Sequence, residues 1–286
     1  MFPALALCDW SDLQKARRSL ARPFTHPRVT SMQIDMLSSV LTAESDFMTL
    51  ELSLQANVAQ SKPINLKPIL MTACANVFTQ YMCSTRFGYN DTDFQKTVRL
   101  FDEIFWEINQ GYAIDFMPWL LPIYRRHMKK LNRWGQVIRG FILKYIIEEH
   151  IQSIDMKNLR DFTDALLFHM INENQDQQGK AALTRNQVLY ELEDFLGGHS
   201  AVGNMLMRAV GELCNNPDVM KQVQEEIQQT TGGQRPVVLE DRPMMPYTES
   251  VLLETLRLSS SPIVPHVANQ DTTIAGNFLN NSNTTL

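Results

Sequence analysis

Glu254 and Arg257 stand three residues apart in the run PYTESVLLETLRL, which reads as a helix and sets a carboxylate and a guanidinium on one face. On an open surface such a pair adds little. A second stretch, LEDFLGGHSAVGNMLM over residues 192–207, is helix-like on both sides of Gly197-Gly198. Two glycines inside a helix cost roughly 1 kcal/mol each relative to alanine, so the missing side chains must let something approach the backbone. His199 and Ser200 follow at once, an imidazole and a hydroxyl of the kinds that move protons. The alternative for this stretch is a helix–helix crossing with a small-residue notch, His199 being a packing residue. Trp10 precedes the basic pair Arg17-Arg18, and His266 follows Pro265 near the end of the chain. The four cysteines, Cys8, Cys74, Cys83 and Cys214, are scattered, with no Cys-x-x-Cys or Cys/His spacing. That argues against structural zinc and for free thiols in a reducing compartment.

The elements that must position these residues are helical. Of 286 residues, 44% are apolar; methionine is frequent and glycine sparse, a balance that favours helices. The net charge of −5 supplies no basic field for nucleic acid. The sequence shows no run of 18 apolar residues for a membrane span and no signal peptide, because Asp9 and Trp10 follow the apolar start; the chain reads as soluble. Asn90, Asn280 and Asn283 begin N-x-S/T triplets that read as chance in a cytosol-facing chain.

Apolar periodicity predicts helices over 9–22, 31–58, 66–87, 91–112, 130–153 and 159–172. DFMPWLLPIY, 115–124, reads as an irregular connector broken by Pro118 and Pro122, and 172–181 as a polar loop. Thr184 and Gln187 fit a capping box that opens the helix carrying the glycine pair, which runs to about residue 214. Asn216, as N-cap, and Pro217 start the next helix. A further helix follows Pro246 to about 258, and Pro262 to Ile274 suits short strands.

PYTESVLLETLRL followed by PHVANQDTTIAG, 265–276, resembles the K helix and following strands of a cytochrome P-450. The helix over 184–214 resembles the family's I helix, which crosses the distal face of the haem, with Gly197-Gly198 where the family has small residues. Residues 5–28, LALCDWSDLQKARRSLARPFTHPR, resemble the C helix and its flanks. DFMPWL resembles the segment after the F helix, and RDFTDALLFHM, 160–170, the approach to the I helix. EDFLGGHSAVGN and ALCDWSDLQKARR are most similar to the arthropod Spook-type enzymes of ecdysteroid synthesis.

The resemblance implies a mainly α, partial P-450 fold over 1–286, from about the C helix through the K helix and the first strands after it. It implies haem as cofactor, monooxygenation of a sterol-like ecdysteroid precursor with one oxygen atom from O2, a P-450 reductase as electron donor and no nucleic acid. The parent enzyme is expected on the cytosolic face of the endoplasmic reticulum membrane, through an anchor absent from this chain. The expected catalytic residues are Gly197, Gly198, His199 and Ser200, and Trp10, Arg17, Arg18 and His266 are expected at the haem. Phe195, Leu196, Val202, Ile263 and Val264 are expected at the substrate, with Glu254–Arg257 as the structural pair. The sequence departs from the family in three ways. Ser200 and Ala201 stand where an acid and an alcohol are usual, so either ordered water with Ser200 and His199 supplies protons or the chemistry differs from simple hydroxylation. Gln14, not arginine, stands four after Trp10. None of the four cysteines has the flanks of the family's Gly-rich ligand loop, so the axial Cys is expected to lie outside this chain. An inactive haem-free polypeptide with at most an interaction role is the alternative.

Overall fold

The protein is described from a computed structural model, which covers residues 12–26, 32–60, 62–173, 183–259, 271–274 and 276–279. Helices make up nearly all of it: α1 (Asp12–Thr25), α2 (Met32–Ala59), α3 (Leu66–Cys83), α4 (Thr92–Ile108), α5 (Ala113–Phe116), α6 (Leu121–Ile142), α7 (Glu148–Ser153), α8 (Phe162–Glu173), α9 (Arg185–Asn215), α10 (Pro217–Thr231) and α11 (Pro246–Ser259). The described strands, β1 (Thr272–Ile274) and β2 (Asn277–Leu279), pair antiparallel with Thr272 opposite Leu279. Gly276, at φ +80°, takes the left-handed conformation that the tight turn between them demands.

The caps explain where the helices begin. Asn65 accepts from the Lys67 amide at 3.2 Å to start α3, and Asp91 from the Phe94 amide at 2.9 Å to start α4. At α9 the expected capping box is present: the Gln187 amide donates to Thr184 Oγ1 at 3.3 Å and the Thr184 amide to Gln187 Oε1 at 2.7 Å.

Helix ends differ from expectation for identifiable reasons. α3 stops at Cys83 rather than residue 87, because the buried Asn76 side chain binds the Phe87 amide and carbonyl, each at 2.9 Å, and folds the chain back. α6 begins at Leu121, inside the expected connector. Pro122 falls in its first turn, where a missing N–H is harmless, so this proline opens a helix instead of breaking one. Asn216 precedes α10 as expected, but its side chain donates back to the Glu212 carbonyl at 2.8 Å and closes α9. Between α6 and α7, residues 143–147 form a π-helical turn.

The core gathers around α9. α3 makes the most extensive contact with it, α4, α6 and α8 also pack against it, and α1, packed on α8, reaches it through Arg17. Phe94 stacks on Phe87 with ring centroids 4.5 Å apart, and Ile138, Ile142, Ile147, Leu166 and Val188 are buried among them. α10 and α11 attach to the C-terminal half of α9. Glu226 of α10 fixes α11 by accepting from the Tyr247 amide at 2.9 Å and from the Thr248 amide and hydroxyl at 2.7 and 2.6 Å. Among the described residues no helix is long and apolar enough to cross a membrane.

Candidate active site

α9 turns about 100° per residue, so each position in Gly197-Gly198-His199-Ser200-Ala201-Val202 faces a different neighbour. A side chain at Gly197 would meet the Phe101 ring of α4 at 3.3 Å, and one at Gly198 would meet Phe78 of α3 at 3.4 Å. The tightest approach is one that the sequence does not signal. At Gly203 a Cβ would press into the sulfur of buried Met71 in α3.

His199 and Ser200 are wholly buried. The His199 ring stands edge-on to Phe101, centroids 5.5 Å apart, with Nδ1 on the Leu196 carbonyl. Burial pulls its pKa down; the Leu196 and Val98 carbonyls and the Asp102 charge oppose this without reversing it, and the ring stays neutral. Ser200 Oγ lies 3.5 Å from His199 Nε2. Both side chains thus lie in the packing around α9, whereas Ala201 and Val202 are exposed. Gly198, Ala201, Val202 and Met205 follow the 3–4-residue spacing of one helix face. That face is small and apolar and carries no hydroxyl.

Beside it opens a cleft of about 1020 Å³ between α4, α6, α9 and α11, with Trp106, Trp134, Ala201, Asn204, Met205 and Leu256 in its walls. Asn204 Nδ2 donates to Asp102 Oδ1 at 2.8 Å, and Lys67 Nζ lies 2.7 Å from Asp102 Oδ2, which gives one wall a polar edge. Of the expected substrate residues, Val202 is exposed, Phe195 packs edge-on against Phe162 of α8 at 5.2 Å, and Leu196 is in the core. Ile263 and Val264 lie outside the described residues, as do Trp10 and His266. The residues missed by sequence reasoning are the cleft residues on α4, α6 and α11; only the i+3 and i+7 steps from Gly198 to Ala201 and Met205 were there to be found.

Arg17 is 2% exposed and turned onto α9: its Nε donates to Glu191 Oε2 at 2.9 Å, with Nη1 3.4 Å from Gln14 Oε1. Its Nη2 and Glu191 Oε1 are buried with no hydrogen-bond partner. Arg18 lies on the exposed side of α1. Glu254 and Arg257 make two hydrogen bonds of 2.6 and 2.7 Å, and their side chains are 53% and 68% exposed, so in this chain the pair is solvated.

The Ala201 and Met205 face of α9 thus borders a cleft of small-molecule size whose walls mix aromatic and aliphatic side chains with charged ones, among them Glu103, Glu107, Lys130 and Arg208. A profile of the family described as Cytochrome P450 matches residues 10–285. Cytochrome P450 307a1 of Drosophila melanogaster is 48% identical over 275 residues, covering 96% of this chain and 49% of that protein. Cytochrome P450 2U1 of Mus musculus is 30% identical over 261 residues, covering 89% and 48%. A solved zebrafish cytochrome P450 with progesterone superposes with a TM-score of 0.78 at 28% identity, over 97% of this chain and 62% of that one. The chain belongs to the cytochrome P450 family, with a mainly α, partial P450 fold, and spans about half the length of the curated relatives it matches.

The family's cofactor is haem. The exposed part of α9 fits the apolar face of such a ring, since the small side chain of Ala201 lets it come near the backbone and nothing charged stands at 201, 202 or 205. The described cysteines do not fit the axial role, which needs a thiolate. Burial pushes the Cys74 thiol up to about 11 and the Cys83 thiol up to about 12, and Cys214 sits exposed at the end of α9.

Proposed function

We propose that this chain forms the haem-distal and substrate-facing part of a monooxygenase that inserts one oxygen atom from O2 into a sterol-like precursor of ecdysteroids. The observation that carries the reading is the small apolar face of α9, at Ala201 and Met205, bordering a cleft at the upper end of the size usual for small-molecule sites. The Drosophila relative, at 48% identity, supports the Spook-type assignment, and the zebrafish structure that holds progesterone supports a polycyclic ligand.

When bound, haem supplies the oxygen chemistry, with electrons from a P-450 reductase. The chain's own part is placement. Ala201 and Met205 floor the site, and Trp106, Trp134 and Leu256 offer apolar surface to a rigid ring system. The Asp102–Asn204–Lys67 edge offers hydrogen bonds to a hydroxyl or ketone at one end. His199, neutral and buried, holds α9 against α4. Trp10, Arg18 and His266 remain the proposed polar contacts of the haem by resemblance, and the axial thiolate comes from outside this chain. The parent enzyme works on the cytosolic face of the endoplasmic reticulum membrane.

The test uses the full-length protein encoded by the transcript. It binds haem, gives the family's ferrous–CO spectrum, shifts that spectrum with a sterol, and with labelled dioxygen yields a product carrying one labelled atom. A full-length protein that takes up no haem, or that binds sterol and leaves it unoxidised with a reductase present, overturns the reading.

A further inference from the structure

Asn204 stands about one turn after Ala201 on the side of α9 that borders the cleft, half-buried in its wall. Two acceptors fix its side chain. Nδ2 donates to Asp102 Oδ1 at 2.8 Å and to the Ser200 carbonyl, four residues back on α9, at 2.8 Å. Asp102 is in turn held by Lys67, whose Nζ lies 2.7 Å from Oδ2.

A primary amide has two N–H hydrogens and one acceptor oxygen. Both hydrogens of Asn204 are engaged. Turning the amide over would set its oxygen against a carboxylate and a carbonyl, two acceptors, so the network fixes the orientation. Oδ1 accepts from no described residue and is not buried. Asn204 thus offers the cleft an acceptor and no donor. Lys67 beside it keeps hydrogens beyond the one on Asp102, because an ammonium has three. The described cations of the cleft are each paired, Lys67 with Asp102, Lys130 with Glu107 at 2.8 Å and Arg208 with Glu212 at 2.6 Å, so an uncharged polar group suits this edge better than an anion.

We propose that Asn204, held in one orientation by Asp102 and the Ser200 carbonyl, is a specificity residue that reads a hydroxyl of the ligand and rejects a ketone at the same place. The proposal rests on the sterol reading of the cleft and narrows it. A hydroxyl donates its hydrogen to Asn204 Oδ1 and accepts from Lys67 Nζ. A ketone accepts from Lys67 alone, and its oxygen then stands against the Asn204 oxygen with no hydrogen to share, so an acceptor that water had satisfied is left unmet. Asp102 acts through Asn204 and is a positioning residue.

The test uses the full-length protein with cholestanol and cholestanone, which differ only in bearing a hydroxyl or a ketone on the same carbon. Trp106 and Trp134 line the cleft, so quenching of tryptophan fluorescence reads binding without turnover. Wild type should bind cholestanol on the order of tenfold more tightly than cholestanone. Asn204→Ala should bring the two affinities together, and so should Asn204→Ser, whose hydroxyl can donate or accept. Asp102→Asn should weaken the preference as well, because it frees the Asn204 amide to turn. A general loss of packing would lower both affinities and leave their ratio, so the ratio carries the result; Asn204→Ser decides if Asn204→Ala does not fold. Equal binding of the two sterols by wild type, or an unchanged ratio in Asn204→Ser, overturns the proposal and leaves the monooxygenase reading standing. A wild type that binds neither sterol overturns the sterol reading and the proposal with it. One that prefers cholestanol yet oxygenates no sterol overturns the monooxygenase reading alone.

Discussion

Replacing Gly203 with alanine should cost stability relative to replacing Gly198 with alanine, although the two glycines lie five residues apart on one helix. Each exchange gains about 1 kcal/mol of helix propensity. At Gly198 the new methyl meets Phe78 at 3.4 Å, an ordinary contact, so most of that gain survives. At Gly203 it would overlap Met71 Sδ, with Cε and Cγ at 3.4 and 3.5 Å. Met71 is 3% exposed in the α3–α9 contact, so its thioether swings only by displacing other buried groups. Overpacking of that kind costs typically about 1–3 kcal/mol, which leaves Gly203→Ala between neutral and about 2 kcal/mol destabilised.

Chemical denaturation of both variants beside wild type measures the difference, expected at about 1–3 kcal/mol between them, or roughly 2–4 °C in melting temperature per kcal/mol for a chain of this size. Gly203→Ala combined with Met71→Ala supplies the control, since removing the thioether should relieve the clash and make the pair less damaging than the sum of the single changes. Equal stabilisation by both alanines would refute the packing argument. It would also free Gly203 from the close approach of α3, and the glycines of α9 would then need another explanation.

The remaining predictions concern charge and order. His150 donates Nδ1–H to the Ile146 carbonyl at 2.8 Å and pairs through Nε2 with buried Asp161 at 3.0 Å. Burial lowers its pKa, but the Asp161 hydrogen bond and charge, the Ile146 carbonyl and Asp164 raise it further, so the net shift is upward. The advantage of wild type over His150→Asn should therefore be complete below pH 6.5 and disappear as pH rises through the elevated folded pKa, read from denaturation at a series of pH values; an advantage that grows with pH would refute the pairing. Glu254→Ala should leave the melting of this chain unchanged, because the pair is solvated, yet reduce haem incorporation in the full-length protein; calorimetry and haem content measure the two effects. Glu226→Ala should speed hydrogen exchange at the Tyr247 and Thr248 amides ahead of the rest of α11, and uniform exchange along α11 would contradict the clamp.

Much of the fold was legible because its signals are local. Thr184 and Gln187 announce α9 through their own side chains, and apolar periodicity outlines α2, α4 and α8. The ends that moved were decided by partners distant in sequence or by position within a turn. Asn76 captures the backbone of Phe87 eleven residues on, which no pattern around residue 83 reveals. Pro122 read as a breaker because proline has two meanings, and only the chain before it shows that it stands in a first turn. Glu44 carries no local signal either, yet it is buried and accepts from Asn76, Gln80, Arg86 and Tyr89, joining α2 to α3 and the loop beyond.

The site was legible as an address but not as an orientation, and the physical reason lies in Gly197-Gly198-His199-Ser200-Ala201-Val202-Gly203. Large apolar side chains at 3–4-residue spacing fix the phase of a helix. This run has none before Val202, so the sequence alone leaves open which of its positions face the packing. A shift of one residue rotates a position by about 100°, enough to exchange Ser200, which is buried, with Ala201, which is bare. The expectation placed the proton chemistry at His199 and Ser200 because their functional groups suit it. The phase set by Val188, Leu192, Leu196 and Gly203 against α3 and the core turns both inward. With that phase fixed, the α9 side chains that border the cleft are Ala201, Asn204, Met205 and Arg208. The buried Arg17–Glu191 pair lies instead in the α1–α9 contact, away from the cleft, so substitutions there act on the docking of α1.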